Sequence, residues 1–208
     1  MSSIEPRPYH HGDLRRALIE AAGQLLEAEG PDALSLRAVA RDAGVSPAAP
    51  YHHFEDKSEL LTAVADKGYE ELAEHLRAAR AQSLPGHERM TAMHAAYASF
   101  AASRRALYRL MTATARTRSP SNPDLPGQAA VVQLMSEAVS ESRLPEWSET
   151  DELLAGIAAW AAIHGLADLS TFKVLEPIKA RLGGEQAFLK AVMEHLGVFG
   201  PRPGQPGA

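Results

Sequence analysis

Residues 35–61, SLRAVARDAGVSPAAPYHHFEDKSELL, hold the cluster of side chains in this chain with the clearest chemical use. Arg37, Ser46, Tyr51, His52, His53 and Lys57 supply hydrogen-bonding groups of five kinds, and Ala48 and Ala49 lie between them with no polar head. On a short helix entering the major groove of DNA, such polar groups reach base edges or phosphates. Small apolar side chains there permit close approach or touch a thymine methyl. Base reading through hydrogen bonds then falls largely to His52, His53 or residues outside the helix. Metal chemistry fits poorly, because adjacent histidines on a helix point about 100° apart. Neither His52-His53 nor His10-His11 therefore makes an i, i+4 ligand pair by itself.

The elements that must position these residues are legible. Leu36, Val39, Ala40 and Ala43 recur at helical spacing, and Gly44 sits where a helix ends in a left-handed conformation. Ala-Gly-Val is then the turn. Ser46 is placed to cap a second short helix starting near residue 47, with Pro47 at its first position. Pro50 lacks the N–H that would bond to the Ser46 carbonyl, so this helix is expected to begin late or kink. A first helix is expected over 12–28, where Leu14, Leu18, Ala21, Ala22, Leu25 and Leu26 form one apolar stripe that ends at Gly30-Pro31. Ser35 is placed to cap the next helix, and Phe54, Leu60 and Leu61 are expected to pack the shared three-helix core.

The Ala-x-x-Ala-Gly-Val-Ser turn, Tyr51 and Phe54 as Tyr-x-x-Phe, and Lys57, Leu60 and Leu61 as Lys-x-x-Leu-Leu resemble the DNA-binding domain of the TetR/AcrR family of bacterial transcriptional regulators. The resemblance implies that Tyr51 and Lys57 hold phosphates, although threonine or leucine is more usual there than Pro50. Further along, Trp160, His164 and Gly165 in WAAIHGLADL resemble the Trp-x-x-x-His-Gly signature of the C-terminal domain in one branch of that family. Together the two resemblances cover nearly the whole chain.

From Lys57 onward the pattern is helical, with spans expected at 57–81, 87–102, 104–115, 127–143, 150–171 and 185–198. Leu61, Val64, Gly68, Leu72 and Leu76 share one face of the first of these. The segment RTRSPSNPDLPG, 116–127, reads as a loop. The fold class is thus all-α, with about nine helices: an arm and DNA-binding head over 1–56, a helical effector-binding and dimerisation domain over 57–198, and a disordered tail over 199–208. Leu153, Ile157, Trp160, Ala161 and His164 form a stripe on the penultimate long helix, with Ala158, Ala162 and Gly165 as a small-residue surface beside it. The resemblance implies a homodimer paired through the last two long helices. It also implies an effector pocket lined by residues such as Met90, Met93, His94, Tyr97, Tyr108, Met111, Trp160 and His164. Adaptable methionines with a few polar tips suit an apolar or aromatic small molecule. Ordinary core packing is the competing account of each.

The composition narrows the classes. The chain has 208 residues, no cysteine and a net charge of −5. Thiolate catalysis, disulfides and Cys-based metal sites are therefore excluded. Residues 1–60 hold six Lys/Arg against ten Asp/Glu, so few phosphate contacts and a shallow salt dependence are expected. An all-helical enzyme is disfavoured, since His-x-x-x-His, a Gly-rich phosphate loop and Gly-x-Ser-x-Gly are all missing. No cofactor is called for. No apolar run is expected to approach the ~20 residues of a membrane span, and a cytoplasmic protein without membrane contact is the default. The expected partners are a double-stranded operator with an inverted repeat, a small effector and a second copy of the chain. The expected function is repression relieved by the effector, with activation or constitutive binding as alternatives. A helical scaffold that binds no DNA is the reading from another class.

Overall fold

The computed structural model describes residues 11–82, 84, 86–117, 125–143 and 145–196. The N-terminal arm through His10, most of the 116–127 loop and the tail 199–208 lie outside the described residues. Those described form nine α-helices and two 3₁₀ turns, with no strand among them. The α-helices are α1 His11–Glu29, α2 Leu36–Asp42, α3 Lys57–Arg80, α4 Gly86–Ser103, α5 Arg105–Thr117, α6 Pro126–Glu141, α7 Glu149–Leu169, α8 Glu176–Leu182 and α9 Glu185–Leu196. The 3₁₀ turns are Ala49–His52 and Lys173–Leu175.

The chain divides into two compact units, one made of residues 1–68 and 106–120, the other of 69–105 and 121–208. In the first unit the ends of α2 behave as its sequence requires. Ser35 Oγ accepts the Ala38 N–H at 3.1 Å. At the other end Gly44 adopts φ +69°. The Val45 N–H returns to the Ala40 carbonyl at 2.9 Å and the Gly44 N–H to that of Arg41 at 3.2 Å, closing both orphan carbonyls in a Schellman turn. Leu18, Ala22, Leu26, Val39, Phe54 and Leu60 are buried together in this unit's core. Leu61, expected beside them, is only half-buried.

Helix α5 from Ala106 onward belongs to this unit. A Cβ added at Gly68 on α3 would stand 2.7 Å from Met111 Sδ and 3.0 Å from Leu107 Cγ, both on α5. Only a missing side chain lets the two helices approach so closely. Gly68→Leu is therefore expected to lower unfolding stability by ~1–3 kcal/mol, the usual range for overpacking, in a urea titration; an unchanged midpoint would mean that α5 yields without cost.

In the second unit α4 is the central helix. It packs against α9, α7 and α6, and Met90, Met93, His94, Tyr97, Ala98 and Phe100 are all buried. Arg80 at the end of α3 pairs with Glu137 and Glu141 of α6, and Arg89 of α4 reaches Glu141 at 3.4 Å. Hydrogen bonding to Arg80 holds the Glu137 carboxyl below the usual carboxylate range.

A capping box opens α7: Ser148 Oγ accepts the Asp151 N–H at 3.2 Å, while Asp151 Oδ2 accepts the Ser148 N–H at 2.8 Å. These Ser148 bonds depress the Asp151 pKa. The helix buries Ala159, Ile163, Leu166 and Ala167 and leaves the expected stripe outside, with Leu153, Ile157 and Trp160 exposed. Its length and its mean hydropathy of 1.3 over eighteen residues are enough to cross a membrane. The expectation concerned an uninterrupted apolar run, and the longest in α7, Leu153–Ile163, stays well short of ~20 residues; the helix qualifies by length and overall composition only. Helix α8, absent from the sequence reading, has Pro177 in its first turn and ends at Gly183, φ +96°. Lys179, only 3 % exposed, ties it down by donating to the Ser170 carbonyl and, at 2.9 Å, to Glu176.

Candidate nucleic-acid interface and body residues

Between α2 and α3 the chain forms one 3₁₀ turn, Ala49–His52, where a short α-helix from residue 47 was expected. Pro50 explains the difference. Without an N–H it cannot make the first i→i−4 bond, and its ring crowds the Ser46 carbonyl. That carbonyl instead accepts the Ala49 N–H at 3.0 Å, a three-residue closure. The N-cap is Ala48, with no side-chain cap, so Ser46 does not play the capping role expected of it. Pro50 is buried and anchors the turn; after it, the Phe54 N–H bonds to its carbonyl at 2.9 Å.

Around this turn Arg37, Ser46, Ala48, Tyr51, His52 and Lys57 are exposed, while Ala49 and His53 are half-buried. Most of the residues expected to face DNA are therefore accessible, and Tyr51 is 54 % exposed. Lys57 Nζ donates to the Pro31 carbonyl at 3.0 Å, which holds its ammonium at the start of α3 and leaves other protons for a phosphate. The first turn of α3 is closed by its own carboxylates: Asp56 Oδ1 accepts the Glu59 N–H at 2.9 Å, and Glu59 Oε2 accepts the Glu55 N–H at 2.6 Å. Arg15 lies 5.1 Å from the centroid of the buried Phe54 ring, a cation–π contact that steadies α1 on the turn.

The expected effector residues fall in both units. Tyr108 and Met111 are buried in the first; Met90, Met93, His94 and Tyr97 are buried in the second. Burial pushes the His94 pKa down to about 4, so its imidazole is neutral at pH 7. Trp160 is 63 % exposed and lies at the outer surface of α7. His164 stands between: its Nδ1 donates to the Trp160 carbonyl at 2.9 Å, and its ring centroid is 4.9 Å from that of Trp160 and 5.8 Å from that of Tyr97. An apolar groove of about 340 Å³ runs between α8 and α9, lined by Ile178, Leu182, Phe188, Ala191, Val192 and His195. Sequence reasoning missed it with α8; Pro177 and the Gly183-Gly184 pair were the available signals.

A three-helix head with an exposed polar turn after a glycine-closed α2, followed by a helical body, defines a class of helix-turn-helix DNA-binding regulators. Residues 18–64 match the sequence model of bacterial regulatory proteins of the tetR family. Residues 90–195 match that of the tetracyclin repressor-like C-terminal domain. The chain belongs to the TetR family of transcriptional regulators and carries its DNA-binding domain. Among solved structures, a protein of unknown function from a Rhodococcus species is 33% identical, with a TM-score of 0.74 over 91% of this chain and 96% of that one. The TetR family transcriptional regulator PfmR from Thermus thermophilus shares the fold at 22% identity and TM-score 0.62, over 92% and 97% of the two chains. So does the transcriptional regulator FadR from Bacillus subtilis, solved in complex with stearoyl-CoA, at 15% identity and TM-score 0.63 over 89% and 98%.

Proposed function

We propose that this regulator is a homodimeric cytoplasmic repressor that occupies a palindromic operator and is released by a small apolar or aromatic effector. One observation carries the dimer. Nine of the eleven large apolar side chains exposed among the described residues lie between Leu153 and Leu182, with Val174 the most exposed at 76 %. An apolar patch concentrated in this way marks an interaction surface. Gly156 and Gly165 on α7 support a helix as the partner. A Cβ at either would meet nothing within 4 Å inside the chain, yet each glycine costs ~1 kcal/mol against alanine in a helix; close approach by a second copy accounts for both. The face that α7 already commits to α4 and α6 favours that copy over a bilayer. The same Trp160, His164 and Gly165 support placing the body in the Trp-x-x-x-His-Gly branch.

The effector reading rests on Met90, Met93, His94 and Tyr97, brought to one buried helix, with His164 packed on Tyr97. A neutral imidazole among methionines favours an uncharged or aromatic guest. Release requires only that the guest prefer one conformation: a hundredfold change in operator occupancy needs about 2.7 kcal/mol of differential affinity.

The test is fluorescence anisotropy against the duplex upstream of the chain's own gene, with scrambled duplex as competitor. Tyr51→Ala combined with Lys57→Ala is expected to weaken binding roughly 1,000-fold, since each charge-assisted or hydroxyl contact to phosphate contributes ~1 kcal/mol and both heads lose two. Unchanged affinity would remove these residues from the interface. Reversal of binding by no apolar or aromatic candidate would argue for a constitutive regulator.

A further inference from the structure

Glu27 is the residue whose geometry outruns its expected role. On sequence it is one more polar position of α1, yet both its carboxylate oxygens are engaged 79 and 80 residues away. Oε2 accepts the Ala106 N–H at 3.3 Å and Oε1 accepts the Leu107 N–H at 3.1 Å. These are among the N–H groups that the first turn of α5 leaves without an intrahelical partner, at the end of the helix where its dipole favours negative charge. A carboxylate from α1 thus caps α5 in place of a local side chain. The capped Leu107 itself and, one turn further along α5, Met111 fill the space over Gly68 of α3. Helices α1 and α3 flank the α2 and 3₁₀ segment that carries the DNA-facing residues, and both are referenced to the same few residues of α5. Immediately before the cap, Arg104 pairs with Glu71 at 3.0 Å and Arg105 with Glu185 at 3.6 Å, both within the second unit. Consecutive residues 104–107 therefore carry ionic contacts of the one unit and the cap of the other.

We propose that Glu27 is a positioning residue for operator recognition: by capping α5 it fixes α1, and with it the reading turn, so that a dimer accepts one spacing between half-sites. This rests on the reading of the protein as a dimer on an inverted repeat. Each added base pair moves a half-site by about 3.4 Å and turns it by about 34°, because about ten pairs make a turn of ~34 Å. A head held firmly rejects that displacement, and a loosened one tolerates it.

The experiment selects the preferred duplex with the full-length wild-type protein, then measures affinity for a series with the spacer lengthened or shortened one base pair at a time. Glu27→Ala is expected to reduce the ratio between the best and next-best spacer about fivefold or more, leaving the half-site sequence preference intact. Glu27→Gln, which keeps one acceptor oxygen, falls between. Thermal melts by circular dichroism run alongside; if the alanine variant does not fold, the glutamine variant carries the comparison. A merely structural cap would lower the melting temperature and overall affinity but leave the spacer ratio alone, and that result overturns the proposal. A wild type with no spacer preference would instead overturn the inverted-repeat reading, and the proposal with it.

Discussion

Ile157→Lys is expected to give a monomer by light scattering and to weaken operator binding by a factor of about 10²–10⁴, the gain that joining two weak heads normally supplies through effective concentration. Ile157 is 51 % exposed on α7, between Leu153 and Trp160 on the unburied face. A lysine there is solvated in the single chain and costs its fold little, since surface changes usually stay within about 0.5 kcal/mol. In a paired helix interface the same ammonium would be stripped of water without a partner, at a cost of several kcal/mol. The two effects separate cleanly. Val132→Lys is the control, because Val132 is as exposed but sits on α6, outside the 153–182 stretch. A variant at 157 that remains dimeric with unchanged affinity would move the interface elsewhere.

The second large effect is on stability against pH. His94 is fully buried on α4, and burial lowers its pKa from 6.5 to about 4. The unfolded chain therefore binds a proton between those values that the folded chain refuses. Stability tied to the neutral imidazole is complete above pH 6.5 and is lost as pH falls from there to about 4. At 1.36 kcal/mol per pH unit, the loss attributable to this one group is about 3 kcal/mol. Acidic side chains also contribute to acid unfolding, so the measurement is a difference: urea titrations of wild type and His94→Gln at pH 7, 5.5 and 4.5. The two curves should converge as pH falls, because the glutamine has no proton to take up. Parallel curves would show that His94 titrates normally and is hydrated in the fold.

Much of the head was legible because its signals are local. Ser35 and Gly44 act through their own backbone neighbours, so a cap and a left-handed turn follow from residue type and position. The reading element was harder. Pro50 pointed to a late or kinked helix, but whether one α-turn survives depends on how deeply the proline is buried, a tertiary quantity. Ser46 lost its capping role for the same reason. In the body, helices of ten residues or more were found within a few residues of their ends. Seven-residue α8 was not, since it is too short for a period to register and is held by Lys179 reaching back to Ser170. The expected total of about nine helices agrees with the observed nine α-helices among the described residues, but the membership differs: α8 enters and the helix near residue 47 leaves. The stripe on α7 was visible as a pattern, whereas its outward direction was not, because an apolar helix gives no sign of which side it buries. Glu27 left no signal at all. Its partners are 79 and 80 residues distant, and a glutamate on a polar helix face looks the same whether or not it caps another helix.

The gap in sequence between the two parts of the first unit bears on how such regulators can be recombined. Because α5 returns to α1 and α3 after residues 69–105 have passed through the second unit, a graft cut after Gly68 would carry the candidate reading turn but leave behind the helix that α1 caps and α3 abuts. A functional transplant of this head onto another body must therefore move two separated pieces of chain together, or find in the recipient a helix whose first turn accepts a glutamate and whose next turn accepts a glycine.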